Sequence, residues 1–508
     1  MEANPTNSII KFFQKPGAVL FAAFVLFLPL LFLGTFTSHD WGDDFAQYIH
    51  QAGNIVHGIP QSENGFIFSQ QNYIGPQAYP VGFPLMLSPV YALAGNNMIA
   101  FTTFISLIYI VLGLLIVIFY RRYFSWVTAL VLALIFLYNP QMIIFKREVM
   151  SDIPFTALLV LNFILYRKLE AGNLKQLLVL IVFTGLMLIT RPAGIVFIAA
   201  VAMEKLILVI RRKIEINDFF IFLGIFICLP IALYFIVNLV IFRIPAGGSI
   251  RDYLDFYSSG EFFSIIPENL THHLQVFRYL YEPESGVFKG LSILSGSVIL
   301  TMSFIGFIQR VMKRPDALDW FFVFYMLMML VFPNNYSAFR MMVPIGFVML
   351  FYAANGLKLL NIRQDLPGKS KAVIFGIIMM LLFIPGIIKI ARLGNHVLDG
   401  PQQPSAIEAF GYIRKNVPAY AVVVFAKPRA LSLYAGVQSM RDPFATDPTL
   451  IHKQIVKSGA QYLLIHQQLS DEAMKRYVRM MQNRLTKCWE NKQFVLYMII
   501  PIDPATHR

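Results

Sequence analysis

Three carboxylates stand within five positions of one another directly after the first apolar stretch, in SHDWGDDFAQYIHQAG: Asp40, Asp43 and Asp44. A carboxylate within hydrogen-bond reach of a hydroxyl or an amine can take the proton lost on attack, so such residues are candidates for a general base. Asp44 precedes Tyr48 by one helical turn, which puts both on one helix face. One aspartate here could simply cap the helix that follows. The whole segment Thr37 to Asn97 contains no Lys or Arg, and three uncompensated carboxylates exceed what a cap needs. At least one is therefore expected to work, with Asp44 or Asp43 as the base and Asp40 beside them.

Cations and further acids recur at the next turns. FKREVMSDIPF sets Lys146, Arg147, Glu148 and Asp152 between two apolar stretches. Asp152, two residues before Pro154, reads equally as an N-cap and as a site residue, and Glu148 could pair with Lys146 or Arg147. LITRPAG holds Arg191 alone, and NNYSAFRMMVP holds Arg340 alone. Arginine beside hydrocarbon either snorkels or meets an anion. Two such arginines on one side favour a shared anionic ligand, which guanidinium grips bidentately. Arg191, Arg340, Lys146 and Arg147 are thus expected to bind an anion, and Glu148, Asp152, Tyr48 and Tyr79 to contact substrate.

The elements that position these residues are apolar helices. The chain has 508 residues, 57% hydrophobic and 14% charged, with mean hydropathy +0.62, too apolar for one soluble core. Stretches near 17–36, 98–120, 124–140, 153–166, 175–190, 193–210, 219–242, 290–308, 320–333, 341–357 and 372–391 predict about eleven transmembrane helices. With Lys11 and Lys15 cytoplasmic, the alternate connections carry Arg121/Arg122, Arg167/Lys168/Lys175, Arg211/Arg212/Lys213, Arg310/Lys313/Arg314 and Lys358/Arg363/Lys369/Lys371. That is the positive-inside bias. It accounts for the formal charge of +14 without nucleic acid, for which no aromatic-basic surface is present. Tyr79 to Gly95 is apolar but punctuated by Pro80, Pro84 and Pro89, and counting it as a span would invert every later loop. It is read as a helix lying in the outer interface. Gly17 to Phe36 is read as an uncleaved first span.

Residues 1–395 are expected to form an all-α polytopic membrane domain with outer loops 37–97 and 243–289. The second loop carries Arg251, Asp252, Asp255, Glu261, His272, His273 and Arg278 and is read as a flexible substrate gate. Adjacent His272 and His273 with no third ligand by spacing do not make a zinc site. Cys228 and Cys488 imply no disulfide framework. No Walker loop or Rossmann glycine fingerprint is present. No cofactor and no protein-held metal is called for, and a divalent cation stays open.

Residues 396–508 read as a small extracytoplasmic α/β domain: helix AIEAFGYIRKN, strand AYAVVVFA, helix PRALSLYAG, strand AQYLLIH, helix DEAMKRYVRMMQNRL and strand FVLYMII. Lys427 and Arg429 after the first strand are taken as solvated surface charge, with binding of an anionic acceptor as the rival reading.

The order of an acidic loop after the first span, YPVGFP, R-E-V-x-S-D-x-P-F, T-R-P-A-G and FRMMVP resembles the GT-C membrane glycosyltransferases, in particular the dolichyl-phosphate-mannose–protein mannosyltransferase and aminoarabinose transferase branch. The likeness runs over roughly residues 18 to 360 as an ordered set of short motifs. It implies a GT-C-like fold and transfer of a sugar from a polyprenyl-phosphate donor to a lipid, glycan or protein acceptor on the non-cytoplasmic face. It further implies a bacterial inner-membrane setting, with the N-terminus cytoplasmic and the tail periplasmic. The family's Asp-Glu pair before a tyrosine is replaced here by Asp43-Asp44. A phosphate leaving group needs no general acid but does need fixed positive charge. One base opposite one leaving phosphate implies inversion. Rival readings are an oligosaccharide ligase with a polyprenyl-diphosphate donor, a non-catalytic scaffold of a cell-envelope polysaccharide pathway, and a transporter. The last would need ionisable or broken segments in the middle of its spans, which the sequence lacks.

Overall fold

A computed structural model describes residues 16–34, 37–68, 75–170, 172–244, 258, 260, 262–279, 288–332, 338–359, 368–393 and 397–500. The chain divides into two compact units. A helical unit takes Met1–Thr35, Thr102–Val237 and Leu254–Gly394, and a mixed unit takes Phe36–Phe101, Asn238–Tyr253 and Asn395–Arg508. The first loop therefore groups with the C-terminal residues rather than with the helices, unlike the sequence boundary at 395/396.

In chain order the helices are α1 (Pro16–Phe27), α2 (Asp44–His57), α3 (Gly82–Ala94), α4 (Met98–Arg121), α5 (Trp126–Leu137), α6 (Pro140–Phe145), α7 (Asp152–Lys168) and α8 (Leu174–Thr190). They continue with α9 (Ile195–Ile210), α10 (Ile216–Phe235), α11 (Phe262–Tyr279), α12 (Phe288–Lys313), α13 (Ala317–Val331), α14 (Ala338–Leu359) and α15 (Gly368–Leu393). Every apolar stretch read as a span is helical. Six helices are long and apolar enough to cross a membrane: Met98–Arg121, Pro192–Ile210, Ile216–Ile241, Ile293–Lys313, Phe339–Lys358 and Val373–Arg392. Phe220 and Ile221 on α10 and Ile210 on α9 leave most of their surface uncovered, as lipid-facing side chains do. The chain is an integral membrane protein.

Within the helical unit, α12 and α14 meet at two glycines. A Cβ on Gly306 would lie 2.0 Å from the Tyr352 carbonyl oxygen, and one on Gly356 would lie 2.2 Å from that of Met302. Only small residues allow backbones so close, the usual way membrane helices gain packing without a hydrophobic drive. α7 lies between α8 and α14, so its first residue shares an end of the bundle with the last residue of α8 and the start of α14. α11 corrects the sequence reading. Part of the stretch taken as a flexible gate is a helix against α13, where Asn269 donates to the carbonyls of Leu330 and Phe332, both at 2.9 Å. His273 hydrogen-bonds the Met329 carbonyl at 3.1 Å. Arg251, Asp252, Asp255 and Glu261, and the side chain of Arg278, lie outside the described residues.

The mixed unit is a five-stranded sheet with helices. After α16 (Pro404–Asn416) come β1 (Val422–Val424), α17 (Pro428–Ala435), β2 (Gln438–Met440), α18 (Pro448–Lys457), β3 (Tyr462–His466), α19 (Glu472–Met480), β4 (Leu485–Glu490) and β5 (Phe494–Ile499). The order is β2-β1-β3-β5-β4, parallel across the first three strands and antiparallel across the last three. The short β2, α18 and β4 were not read from the sequence. The first loop joins this sheet at its β2 edge. Ser439 donates its N–H to the Gly65 carbonyl and accepts at its own carbonyl from the Ile67 N–H, both at 2.8 Å. Trp41 inserts among Phe410, Phe425 and Phe494 in the core, and its indole N–H donates to Asp399 at 2.9 Å.

Candidate functional site

The expected site residues fall into two sets, one in each unit. In the mixed unit, α2 begins at Asp44, with Asp43 at the N-cap position; the Asp43 side chain does not cap the helix. The capping alternative is thus not what the residue does. Asp43 Oδ1 accepts instead from the Ala430 N–H at 3.1 Å, while Oδ2 is buried and has no hydrogen-bond partner among the described residues. Burial pushes the Asp43 carboxyl above the ordinary range, and the nearby Arg429 and Lys427 charges pull against that rise.

Asp44 is held quite differently. Its Oδ1 accepts from the Tyr79 hydroxyl at 2.6 Å and from Arg429 Nη1 at 2.9 Å. Arg429 also donates to the Tyr79 hydroxyl at 3.0 Å and, through Nη2, to the Pro76 carbonyl at 2.9 Å. Its guanidinium lies 4.8 Å from the centre of the Phe66 ring and 5.1 Å from that of Tyr79, a cation held by aromatic faces. Gly75, at φ +131°, leaves the room: a Cβ there would be 2.7 Å from Nη2. Tyr48, one turn along α2, stacks on Tyr79 at 4.7 Å and meets Phe83 edge-on at 4.8 Å. Asp40 is 41% exposed and bound locally, accepting from the Gly42 N–H at 2.9 Å and pairing with His39 Nδ1 at 3.1 Å.

Arg429 corrects the sequence reading outright. Taken as solvated surface charge, it is 1% exposed, in contact with an aspartate far away in sequence. The missed signal was positional: Arg429 sits just beyond the carboxyl end of a parallel strand, where α/β sheets tend to bind polar ligands.

In the helical unit the structure brings together Asp152, Arg191 and Arg340. Asp152 is the first residue of α7 and wholly buried. Arg191 is the C-cap of α8, and its Nη1 bonds Asp152 Oδ1. Arg340, in the first turn of α14, sets Nε 3.4 Å from Asp152 Oδ2. Ser151 occupies the N-cap position of α7, so Asp152 serves as counter-ion to two arginines rather than as the cap. The trio carries a formal charge of +1.

Lys146, at the C-cap of α6, is fully buried, with Nζ donating to the Ser106 hydroxyl at 2.9 Å. That partner is neutral, and burial pushes the amine down to about 7. Arg147 pairs with Glu148, Nε to Oε1 at 3.2 Å, the pairing the sequence had allowed.

Residues 78–237 match the family model of dolichyl-phosphate-mannose-protein mannosyltransferase. No curated protein matches the chain by sequence. Among solved structures, ArnT from Cupriavidus metallidurans bound to undecaprenyl phosphate aligns with TM-score 0.53 and 11% identity over 95% of this chain and 98% of that one. The apo state of the same protein aligns with TM-score 0.53 and 12% identity over 93% and 97%. Arabinofuranosyltransferase AftD from Mycobacteria aligns at 0.48 and 13% identity over 96% of this chain and 42% of that one. In fold over nearly its whole length, and in sequence over residues 78–237, the chain resembles the GT-C membrane glycosyltransferases of the protein mannosyltransferase and aminoarabinose transferase branch.

Proposed function

We propose that this protein is a membrane glycosyltransferase that moves a sugar from a polyprenyl-phosphate carrier to a hydroxyl or amine of a lipid, glycan or protein acceptor at the extracytoplasmic face. The observation that carries the reading is the meeting of Arg191 and Arg340 on the single buried carboxylate of Asp152. A phosphate leaving the anomeric carbon departs as an anion and is stabilised by cations fixed in advance. Asp152 holds the two guanidiniums in place, and Lys146 and Arg147 precede it on the same connection. The undecaprenyl phosphate bound to ArnT of the same fold supports the lipid donor.

The acceptor oxygen or nitrogen forms its bond to the anomeric carbon as the carbon–oxygen bond to phosphate breaks, and a carboxylate of the first loop takes the acceptor proton. Asp43 fits this role better than Asp44. Its Oδ2 has no partner among the described residues, and a base held above the ordinary carboxylate range accepts a proton more readily near neutral pH. Asp44 is already committed to Tyr79 and Arg429. A single displacement inverts the anomeric centre. The topology proposed has about eleven crossings with the N-terminus inside.

Mass spectrometry of lipid released from the purified protein tests the donor: a polyprenyl-phosphate sugar is expected, and a diphosphate-linked glycan would replace this reading by that of a ligase. Asp43→Asn is expected to abolish turnover while the protein still inserts and retains donor. Full turnover in Asp43→Asn and Asp44→Asn alike would overturn the assignment of the base.

A further inference from the structure

The first-loop carboxylates do not hold themselves. Nothing within α2 fixes Asp43, and Asp44 sits at the start of its own helix; the atom that orients Asp43, and one that joins the Tyr79 hydroxyl in orienting Asp44, come from one turn of the C-terminal α/β fold. Arg429 and Ala430 are the second and third residues of α17, which leaves the sheet directly after β1. Arg429 Nη1 reaches Asp44 and Tyr79 while Nη2 is anchored on the Pro76 carbonyl, and the Ala430 N–H holds Asp43 Oδ1. Free backbone N–H groups at a helix start favour a carboxylate. Here a buried guanidinium one residue away stands beside them. Register is fixed on either side, because residues 65–67 hydrogen-bond to Ser439 of β2 and Ser432 of α17 bonds Ser439 at 2.6 Å. Residues 65–67, β2 and α17 are therefore tied to one another by hydrogen bonds.

We infer that Arg429, with the first turn of α17, is a positioning residue for sugar transfer: it locks Asp44 and Tyr79 and leaves Asp43, whose Oδ2 has no partner among the described residues, to take the acceptor proton. The C-terminal fold is then a working part of the active site rather than an appendage. The inference rests on the glycosyltransferase reading above for its role in turnover, but its geometry can be tested without substrate. Replacing Arg429 removes the cation that opposes the rise of the Asp43 carboxyl, so Asp43 should stay protonated to higher pH. Asp44, relieved of the Arg429 guanidinium, should become more reactive.

Full-length protein in nanodiscs is treated with dicyclohexylcarbodiimide, which modifies protonated buried carboxyls, across pH 5 to 9, and labelling is located by peptide mass spectrometry. In the wild type, Asp43 is expected to label and Asp44 to be protected. In Arg429→Gln the Asp43 labelling midpoint should rise by about one pH unit and Asp44 should label. Arg429→Lys, which keeps the charge but loses the fork, should restore the Asp43 midpoint and leave Asp44 partly protected. With a donor identified, Arg429→Gln should lower kcat by about 100-fold, with KM for donor within about threefold, and shift the acidic limb of the pH profile upward. Unchanged labelling of both aspartates in a folded Arg429→Gln protein overturns the inference. Altered labelling in a protein that transfers no sugar from a polyprenyl-phosphate donor leaves this positioning geometry standing and overturns the glycosyltransferase reading instead.

Discussion

The two ends of α7 carry opposite electrostatic designs. At its first residue, Asp152 meets Arg191 and Arg340, one carboxylate for two guanidiniums. About 22 Å along the helix axis, near its last residue, Arg167 bonds Asp316 and lies 3.9 Å from Glu204. There Arg310 pairs with Asp316 at 2.5 Å and Asp319 at 3.0 Å, the Tyr352 hydroxyl donates to Asp319 at 2.8 Å, and Glu204 accepts from the Ala317 N–H at 2.9 Å. That is three carboxylates for two guanidiniums. The five-residue cluster has formal charge −1, satisfies its acceptors internally and ties α7, α9, α12, α13 and α14 together. The trio at the start of α7 has formal charge +1. Charge that closes on itself is a staple; two part-exposed guanidiniums gathered on one buried carboxylate are suited to receive an anion.

The sharpest way to break this contrast is to delete cations at each end. Arg191→Ala with Arg340→Ala, made together with Asp152→Asn so that no buried carboxylate is stranded, should lower turnover by about 1,000-fold or more while the melting temperature moves little, since each lost donor to a developing anion costs about 10² to 10³ in rate. Arg310→Ala should do the reverse. It strands the buried carboxylate of Asp319 while Asp316 keeps Arg167 and should cost about 3 to 5 kcal/mol of stability, read as a fall in melting temperature with turnover per folded molecule retained. If both variants lose activity alike with no change in melting, the division into staple and site fails.

A smaller effect is expected at the crossing of α12 and α14. Gly356→Ala drives a methyl into the Met302 carbonyl and should cost about 1 to 3 kcal/mol through helix separation, measurable by thermal denaturation; an unchanged melting temperature would show that the helices part freely there. Smallest is Lys146→Met. The Lys146 amine is protonated below about 7 and neutral above, so its help to a bound phosphate fades as pH rises. The variant should bind undecaprenyl phosphate about tenfold more weakly at pH 6, and the two proteins should converge above pH 8. Equal binding at pH 6 removes Lys146 from the anion site.

Much of the helical unit was legible because its signal is one-dimensional: Met98–Arg121 and Val373–Arg392 announce themselves by unbroken hydropathy. α11 was not legible in that way, since Pro267, Glu268 and two adjacent histidines interrupt its apolar positions, and packing against α13 supplies what hydropathy does not. β2 has three residues and β4 alternates poorly in burial, so neither carries a period-2 signal. The pairing of Arg191 with Arg340 could be anticipated, because each stood alone between apolar stretches. Arg429 could not be, since an arginine in PRALSLYAG looks like solvated charge until the fold brings Asp44 and Tyr79 against it. Asp152 shows the same limit: its sequence context suited a cap, and only the helix neighbours revealed two arginines.

The claim that the Asp152, Arg191 and Arg340 end receives the donor phosphate is tested most directly by equilibrium binding of radiolabelled undecaprenyl phosphate to full-length protein in nanodiscs. Arg191→Ala with Arg340→Ala should weaken binding by about 30-fold or more, and Arg310→Ala should leave it unchanged. Equal affinity in the wild type and the double variant would contradict the account.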